Sequence, residues 1–333
     1  MNNKIVLTGI KPTGIPHLGN LVGVIDPLIK LSYDTKRTFA FIADLHALND
    51  VKARANIKSN TYEVAISMLA FNPDPEKFIL FRQSDIAEVS QLSSLLMNVT
   101  SKGLMNKAHA YKAFVDKNIA NGFDKDAGIN MGLFTYPILM AADILLYNAD
   151  LVPLGQDQRQ HLEFTRDIAA AFNHAYKENV FKLPEALISE KTGIMMPGLD
   201  GRKMSKSYDN YINIFCAEDV LKKKIMKIKT DSKTPAEPKN PDESIIFAIY
   251  QNFASPDETK NMRDRFLNGG LGYGTAKQEL FELINSRLKG LRNIYQNLIN
   301  DKKHVDNVLK RGAEIAGEIA QKNLKKVKQV MLG

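Results

Sequence analysis

The stretch "KIVLTGIKPTGIPHLGN", Lys4 to Asn20, decides the fold. Its opening, "KIVLTG" (Lys4 to Gly9), is a short apolar run ending in glycine, the pattern of a buried parallel strand. Gly and Pro follow as a turn requires, and apolar residues at helical spacing run from Leu18 to Leu31. Outward from there, "TFAFIADLHAL" (Thr38 to Leu48) contains a second buried strand. Ile57 to Phe71 reads as an amphipathic helix, and "FILFRQS" (Phe78 to Ser84) as a third strand. The order βαβαβ predicts right-handed crossovers and an α/β fold with a Rossmann-like, doubly wound parallel sheet. Ligands on such sheets bind beyond the carboxyl ends of the strands. Chemistry is therefore expected near Gly9, Asp44 to His46 and Gln83.

The polar, Gly-containing segment of about 105–132 reads as an insertion, with a long helix predicted from about Pro137. "LISEKTGIMMPGLDGRKMSKSYDN" (Leu187 to Asn210) has little periodicity and reads as a mobile loop and a boundary. Beyond Asn210 only helices are predicted. "SPDE" (Ser255 to Glu258) and "TAKQ" (Thr275 to Gln278) are capping boxes, and a last helix runs from about Val305 to Val330. "TDSKTPAEPKNPDES" (Thr230 to Ser244) reads as an exposed connector. The division expected is an α/β domain over 1–210 and an all-helical C-terminal domain over 211–333.

In 333 residues, 44% are hydrophobic and 25% charged, the balance of a globular chain with a core. No segment approaches the ~20 apolar residues that span a bilayer, and "MNNKIVLTG" lacks the apolar core of a signal peptide. The single cysteine, Cys216, excludes an internal disulfide framework and a Cys-rich metal site. A cytoplasmic protein with no membrane contact is expected. The net charge of +8 suits a polyanion partner, and equally suits an ordinary lysine-rich surface. Lys222, Lys223, Lys224, Lys227 and Lys229 cluster on one predicted helix.

Two motifs carry the chemistry. In "KPTGIPHLGN" (Lys11 to Asn20), small residues let a flat base and a phosphate approach the backbone. The helix that follows offers free N–H groups and a partial positive charge to an anion. His17 stands where it can touch a phosphate or ribose oxygen. A plain structural turn explains that stretch equally well when it is taken alone. In "KMSKS" (Lys203 to Ser207), two lysines three apart on a glycine-flanked loop can close over a polyphosphate and neutralise charge on a leaving group. A solvated basic loop is the alternative.

Together, "HLGN" and "KMSKS" resemble the class I aminoacyl-tRNA synthetases, whose signatures are usually written HIGH and KMSKS. Asn20 holds the fourth position of the first signature, as is common in the tryptophanyl and tyrosyl branch. "GLFTYPILMAADILLYNADLVPLGQDQRQHLEFTRDIA" (Gly132 to Ala169) closely resembles the tryptophanyl family. Tyrosyl enzymes carry Gln where this chain has Met140. An indole needs a flat apolar slot and one acceptor for its N–H. Met140, Asp143 and Tyr147 fall on one helical face. Asp143 is a lone carboxylate in an apolar helix, costly unless paired. By itself it could cap a helix; the resemblance places it on the indole N–H.

Extending from Ile5 to about Leu332, the resemblance implies tryptophan–tRNA ligase activity. L-tryptophan is activated with ATP to the adenylate, pyrophosphate leaves, and the amino acid passes to tRNA(Trp). The ATP site it implies comprises Lys11, Pro12, Thr13, Gly19, Asn20, Gly155, Gln156, Asp157, Ile194 (with Met195 beside it), Lys203, Met204, Ser205, Lys206 and Ser207. Lys203, Lys206 and His17 are the implied catalytic groups. Tryptophan is implied to lie among Leu7, Gly9, His46, Tyr136, Met140, Val152, Leu154 and Gln158, with Asp143 as its specificity contact. Mg²⁺ is implied as bound with ATP, with no metal held by the protein itself, and the assembly as a homodimer. Lys11 departs from the Gln of many relatives, which puts a charge toward either a phosphate or solvent. A tyrosine-specific ligase is disfavoured by Met140. A non-catalytic paralogue is disfavoured by the intact signatures, and a simpler nucleotidyltransferase by the helical C-terminal region.

Overall fold

The computed structural model describes residues 1, 3–49, 54–155, 159–187 and 196–333. Among them five parallel strands form one sheet: β1 Ile5–Ile10, β2 Arg37–Ile42, β3 Phe78–Arg82, β4 Leu151–Pro153 and β5 Glu185–Leu187. Their order is β3-β2-β1-β4-β5, so strand order reverses direction at β1 and β4, where a doubly wound sheet opens its ligand crevice. The register sets Phe39 against Ile79, Ala40 against Leu80 and Phe41 against Phe81. Because side chains alternate with period two, the sheet is apolar on both faces. Leu7, Phe39, Phe41, Ile79 and Phe81 belong to one core, and Ala40, Ile42, Phe78 and Leu80 to the other. Helices cover both faces, and the predicted fold class is the one observed.

The helix expected over Leu18 to Leu31 runs from Leu18 to Tyr33, with a π-turn at Leu21–Ile25. Pro27 supplies the reason. Lacking an N–H, it cannot donate to Gly23 and its ring crowds that turn. The Asp26 N–H reaches back to Leu21 O instead. The helix predicted from about Pro137 begins six residues earlier, as Met131–Leu146, with the Asn130 side chain accepting from Leu133 N at 2.9 Å. Pro137 lies inside it, and burial of Ile138, Ala141, Ala142 and Leu145 offsets the missing bond, which costs about 3 kcal/mol. The 105–132 segment holds a helix of its own, His109–Ala120.

In the C-terminal part, the capping box at Ser255 and Glu258 is present in both directions. The second, at Thr275 to Gln278, is not. That helix, Tyr273–Asn300, starts earlier with Gly272 as N-cap, and Thr275 lies within its first turn. Burial of Ala276, whose N–H donates to Gly272 O, pins the start there. The last helix, Lys302–Leu332, returns to the sheet and wraps its β3 edge. Val305 and Leu309 join one core, and Ala316, Ala320, Leu324 and Val327 the other. Gly312 marks the crossing: a Cβ there would stand 2.0 Å from the Leu80 carbonyl oxygen. Among the described residues no helix is long and apolar enough to cross a membrane.

Candidate active site

The loop after β1 turns at Gly14, whose φ of 81° is a left-handed conformation that glycine adopts without strain. Pro12 is buried, while Lys11 and Thr13 are exposed. His17 then caps the first helix: its Nδ1 accepts from Asn20 N at 3.3 Å, and its own N–H donates to Asn20 Oδ1 at 3.1 Å. Asn20 is thus engaged in the cap as well as facing the crevice. Since Nδ1 is the acceptor, Nε2 carries the proton of the neutral ring. Burial, then Lys206 and Lys203, lower the His17 pKa to about 4, so the imidazole is neutral near pH 7. Gly19 lies against that ring; a Cβ would stand 3.1 Å from it.

The loop carrying the two lysines is built on a hydrophobic anchor. Met204 is buried in the core, and its N–H donates to Met196 O at 2.9 Å. Buried Asn210 organises the rest. Its Nδ2 donates to Asp200 Oδ1 (2.7 Å) and Lys203 O (3.1 Å), and its Oδ1 accepts from Ser205 N (2.8 Å). Ser205 caps the short turn Lys206–Tyr208 through Ser207 N. Lys206 Nζ crosses to the first loop and donates to Thr13 O at 2.5 Å. Burial lowers the Lys206 pKa, with Glu63 opposing. Lys203 and Ser207 are exposed. His17, Gly19, Asn20, Lys203 and Met204 are among the residues that line a cleft of about 420 Å³.

Of the other expected residues, Leu7, Val152 and Leu154 share one apolar cluster, and Met140 packs against it. Leu7, Val152 and Leu154 are buried, and Gly155 is half-buried. Gly9 stacks on Phe41, where a Cβ would meet the ring at 2.6 Å. From the helix Met131–Leu146, Asp143 enters with 1% exposure. His46 Nε2 lies 2.9 Å from Asp143 Oδ2, and Gln83 Nε2 donates to both carboxylate oxygens at 2.9 and 2.8 Å. Burial raises the Asp143 pKa, and the bonds from His46 and Gln83 oppose it. Met140 packs at the edge of the core, and the Tyr136 hydroxyl lies 2.6 Å from His161 Nε2. Tyr147, on the same helical face by spacing, belongs to the core instead. It stacks on Phe39 at 5.3 Å, and its hydroxyl is buried without a partner among the described residues.

Gln156, Asp157, Gln158 and Ile194 lie outside the described residues. Nothing in the sequence marks His161 as a partner, or Asn210 beyond its place at the end of the lysine loop, and Gln83 is marked there only as a strand end near the expected chemistry.

The family described as tRNA synthetases class I (W and Y) matches residues 2–289. The tryptophan–tRNA ligase of Pseudomonas putida is 46% identical over 329 residues, 98% of this chain and 73% of that protein. That of Pseudomonas aeruginosa is 48% identical over 95% of this chain and 70% of its own. Among solved structures, the tryptophanyl-tRNA synthetase of Campylobacter jejuni, complexed with ADP and tryptophan, superposes with a TM-score of 0.87 at 39% identity. It covers 98% of this chain and 99% of that one. The Mycoplasma pneumoniae enzyme gives 0.79 at 30% identity, covering 99% and 98%. A crevice where strand order reverses, closed by a lysine loop, agrees with these likenesses, and the chain belongs to the class I tRNA synthetases of the tryptophan and tyrosine branch.

Proposed function

We propose that this chain activates L-tryptophan with ATP, giving tryptophanyl-adenylate and pyrophosphate, and then transfers the amino acid to tRNA(Trp). The observation that carries the substrate is Asp143, a buried carboxylate fixed by His46 and Gln83 in an otherwise apolar helix. An indole N–H is a donor without acceptor capacity, and a carboxylate is its natural partner. Relatives named as tryptophan–tRNA ligases support the same reading. Leu7, Gly9, His46, Tyr136, Met140, Val152, Leu154 and Gln158 are proposed to surround the amino acid.

The proposed ATP site joins the loop from Lys11 to Asn20 with Gly155, Gln156, Asp157, Ile194 and the Lys203–Ser207 loop. The tryptophan carboxylate attacks the α-phosphorus and the bond to pyrophosphate breaks, so no side chain acts as nucleophile. The chain positions the reactants and stabilises negative charge. Lys203, Lys206 and the His17 Nε2–H are the donors for it, whereas the first helix offers fewer free N–H groups than its sequence suggests, because Leu18 N donates to Ile212 O and Asn20 N to His17. That set suits phosphate oxygens rather than a cation, so Mg²⁺ fits as an ion carried on the triphosphate, where it supplies further charge neutralisation.

A helical tRNA-facing unit over 211–333, a homodimer and a cytoplasmic location belong to the same proposal. Ile119, Phe123 and Met131 are 61%, 64% and 68% exposed, which supports a dimer contact through that segment. Amino-acid-dependent ATP–pyrophosphate exchange tests the activity.

A further inference from the structure

We infer that Gln83 is the positioning residue that fixes how the Asp143 carboxylate is presented to the indole N–H, which rests on the role proposed above for Asp143. Gln83 is fully buried in the turn Gln83–Asp85 directly after β3. Its Nε2 spans the carboxylate, 2.9 Å from Oδ1 and 2.8 Å from Oδ2, and so anchors both oxygens to one donor group, while His46 Nε2 engages Oδ2 alone. Its Oε1 accepts from His46 N at 3.3 Å, which decides the sense of the amide. Reversed, the amide would press its carbonyl on the carboxylate and N–H against N–H. The turn itself is held to the end of β2, where Ser84 N and Oγ donate to the Asp44 carboxylate at 3.0 and 2.5 Å.

Each carboxylate oxygen has two lone pairs. Oδ2 receives both Gln83 and His46 Nε2, whereas Oδ1 receives Gln83 alone among the described residues. One acceptor position on Oδ1 is thus left for a donor, and Gln83 holds Oδ1 in place. A neutral donor does this without adding a charge that would compete for the ligand.

The test compares tryptophan with its benzothiophene analogue, in which sulfur replaces the indole N–H. Pyrophosphate exchange is measured for the wild type, Gln83→Met and Asp143→Asn. Gln83→Met should lower the preference for tryptophan over the analogue by about 10-fold or more, with the KM for ATP within about twofold of wild type. Asp143→Asn should lower that preference at least as far. If Asp143→Asn loses the preference and folded Gln83→Met keeps it, Gln83 is only a packing residue and the inference fails. If Asp143→Asn keeps the preference, the role of Asp143 fails, and that of Gln83 with it. Should Gln83→Met not fold, Gln83→Asn decides by the same ratio, because it keeps the amide but withdraws it by one methylene.

Discussion

Lys206 Nζ donates to the main-chain carbonyl of Thr13 at 2.5 Å, joining two loops 193 positions apart. The lysine loop is therefore closed onto the first loop, with its cation half-buried at the crevice. A triphosphate entering there offers a charged acceptor in place of a neutral one, and charge-assisted bonds are the stronger. Lys206→Ala, and separately Lys203→Ala, should lower the activation rate by about 10²-fold or more, with little change in affinity for tryptophan. Single-turnover adenylate formation together with tryptophan binding checks this. Normal turnover in both variants would reduce the loop to a surface feature.

The His17 imidazole gives a pH dependence of defined sign. Its pKa falls from 6.5 to about 4 in the folded chain, first through burial and then through Lys206 and Lys203. Between those values the unfolded chain binds the extra proton, so stability is lost as pH falls from 6.5 toward 4. His17→Gln should flatten that part of the stability–pH curve relative to wild type, measured by urea unfolding. Identical slopes in the two proteins would contradict a neutral, half-buried His17.

Gly312 stands where the last helix passes close against the sheet. Gly312→Ala places a methyl on the Leu80 carbonyl, and both partners are backbone, which cannot yield as a side chain does. The helix must lift from β3, and a loss of about 2 kcal/mol or more is expected, although alanine is the better helix former. Thermal unfolding decides it, since a Tm equal to or above wild type would mean that the helix does not pack there as described.

The lysine cluster is smaller than its spacing suggests. Lys224 Nζ donates to Tyr211 O at 2.8 Å and lies over the Tyr211 ring, and so serves the fold. Lys222, Lys223, Lys227 and Lys229 are exposed, with Lys223 Nζ 3.3 Å from Asp219, and Lys227 and Lys229 lie beyond the end of their helix, Glu218–Met226, rather than on it. Replacing those four by Gln should weaken tRNA binding and flatten its salt dependence while sparing adenylate formation. An unchanged salt slope would make them a solvated face.

The fold was legible because its signals are local. The short unbroken apolar run of "FILF" and the glycine after "KIVLT" mark strands whatever lies around them. Asp143 was legible as a lone carboxylate among apolar residues. His46 and Gln83 were legible as strand ends near the chemistry, but their bonds to Asp143 were not, because they lie 97 and 60 positions away and spacing does not show which side chains meet. The turn of the last helix around β3 was hidden for the same reason, as Gly312 meets a strand that has no special residue at Leu80. Pro137 misled because proline favours the first helical turn, whereas here packing carries the helix through it. Thr275 misled because a capping box is a pattern of four residues, while the true start is set by the burial of Ala276.

The most direct measurement is ATP–pyrophosphate exchange by the purified chain with Mg²⁺ and each of tryptophan, tyrosine and phenylalanine. Tyrosine would bring a hydroxyl among Met140, Val152 and Leu154, and phenylalanine would leave Asp143 without a donor. Sites built around a substrate N–H reject analogues lacking it by about 10⁴-fold in comparable systems. Exchange with tryptophan exceeding the other two by about that factor is the predicted result. Preference for tyrosine, or no exchange with any of the three by the folded protein, would contradict it.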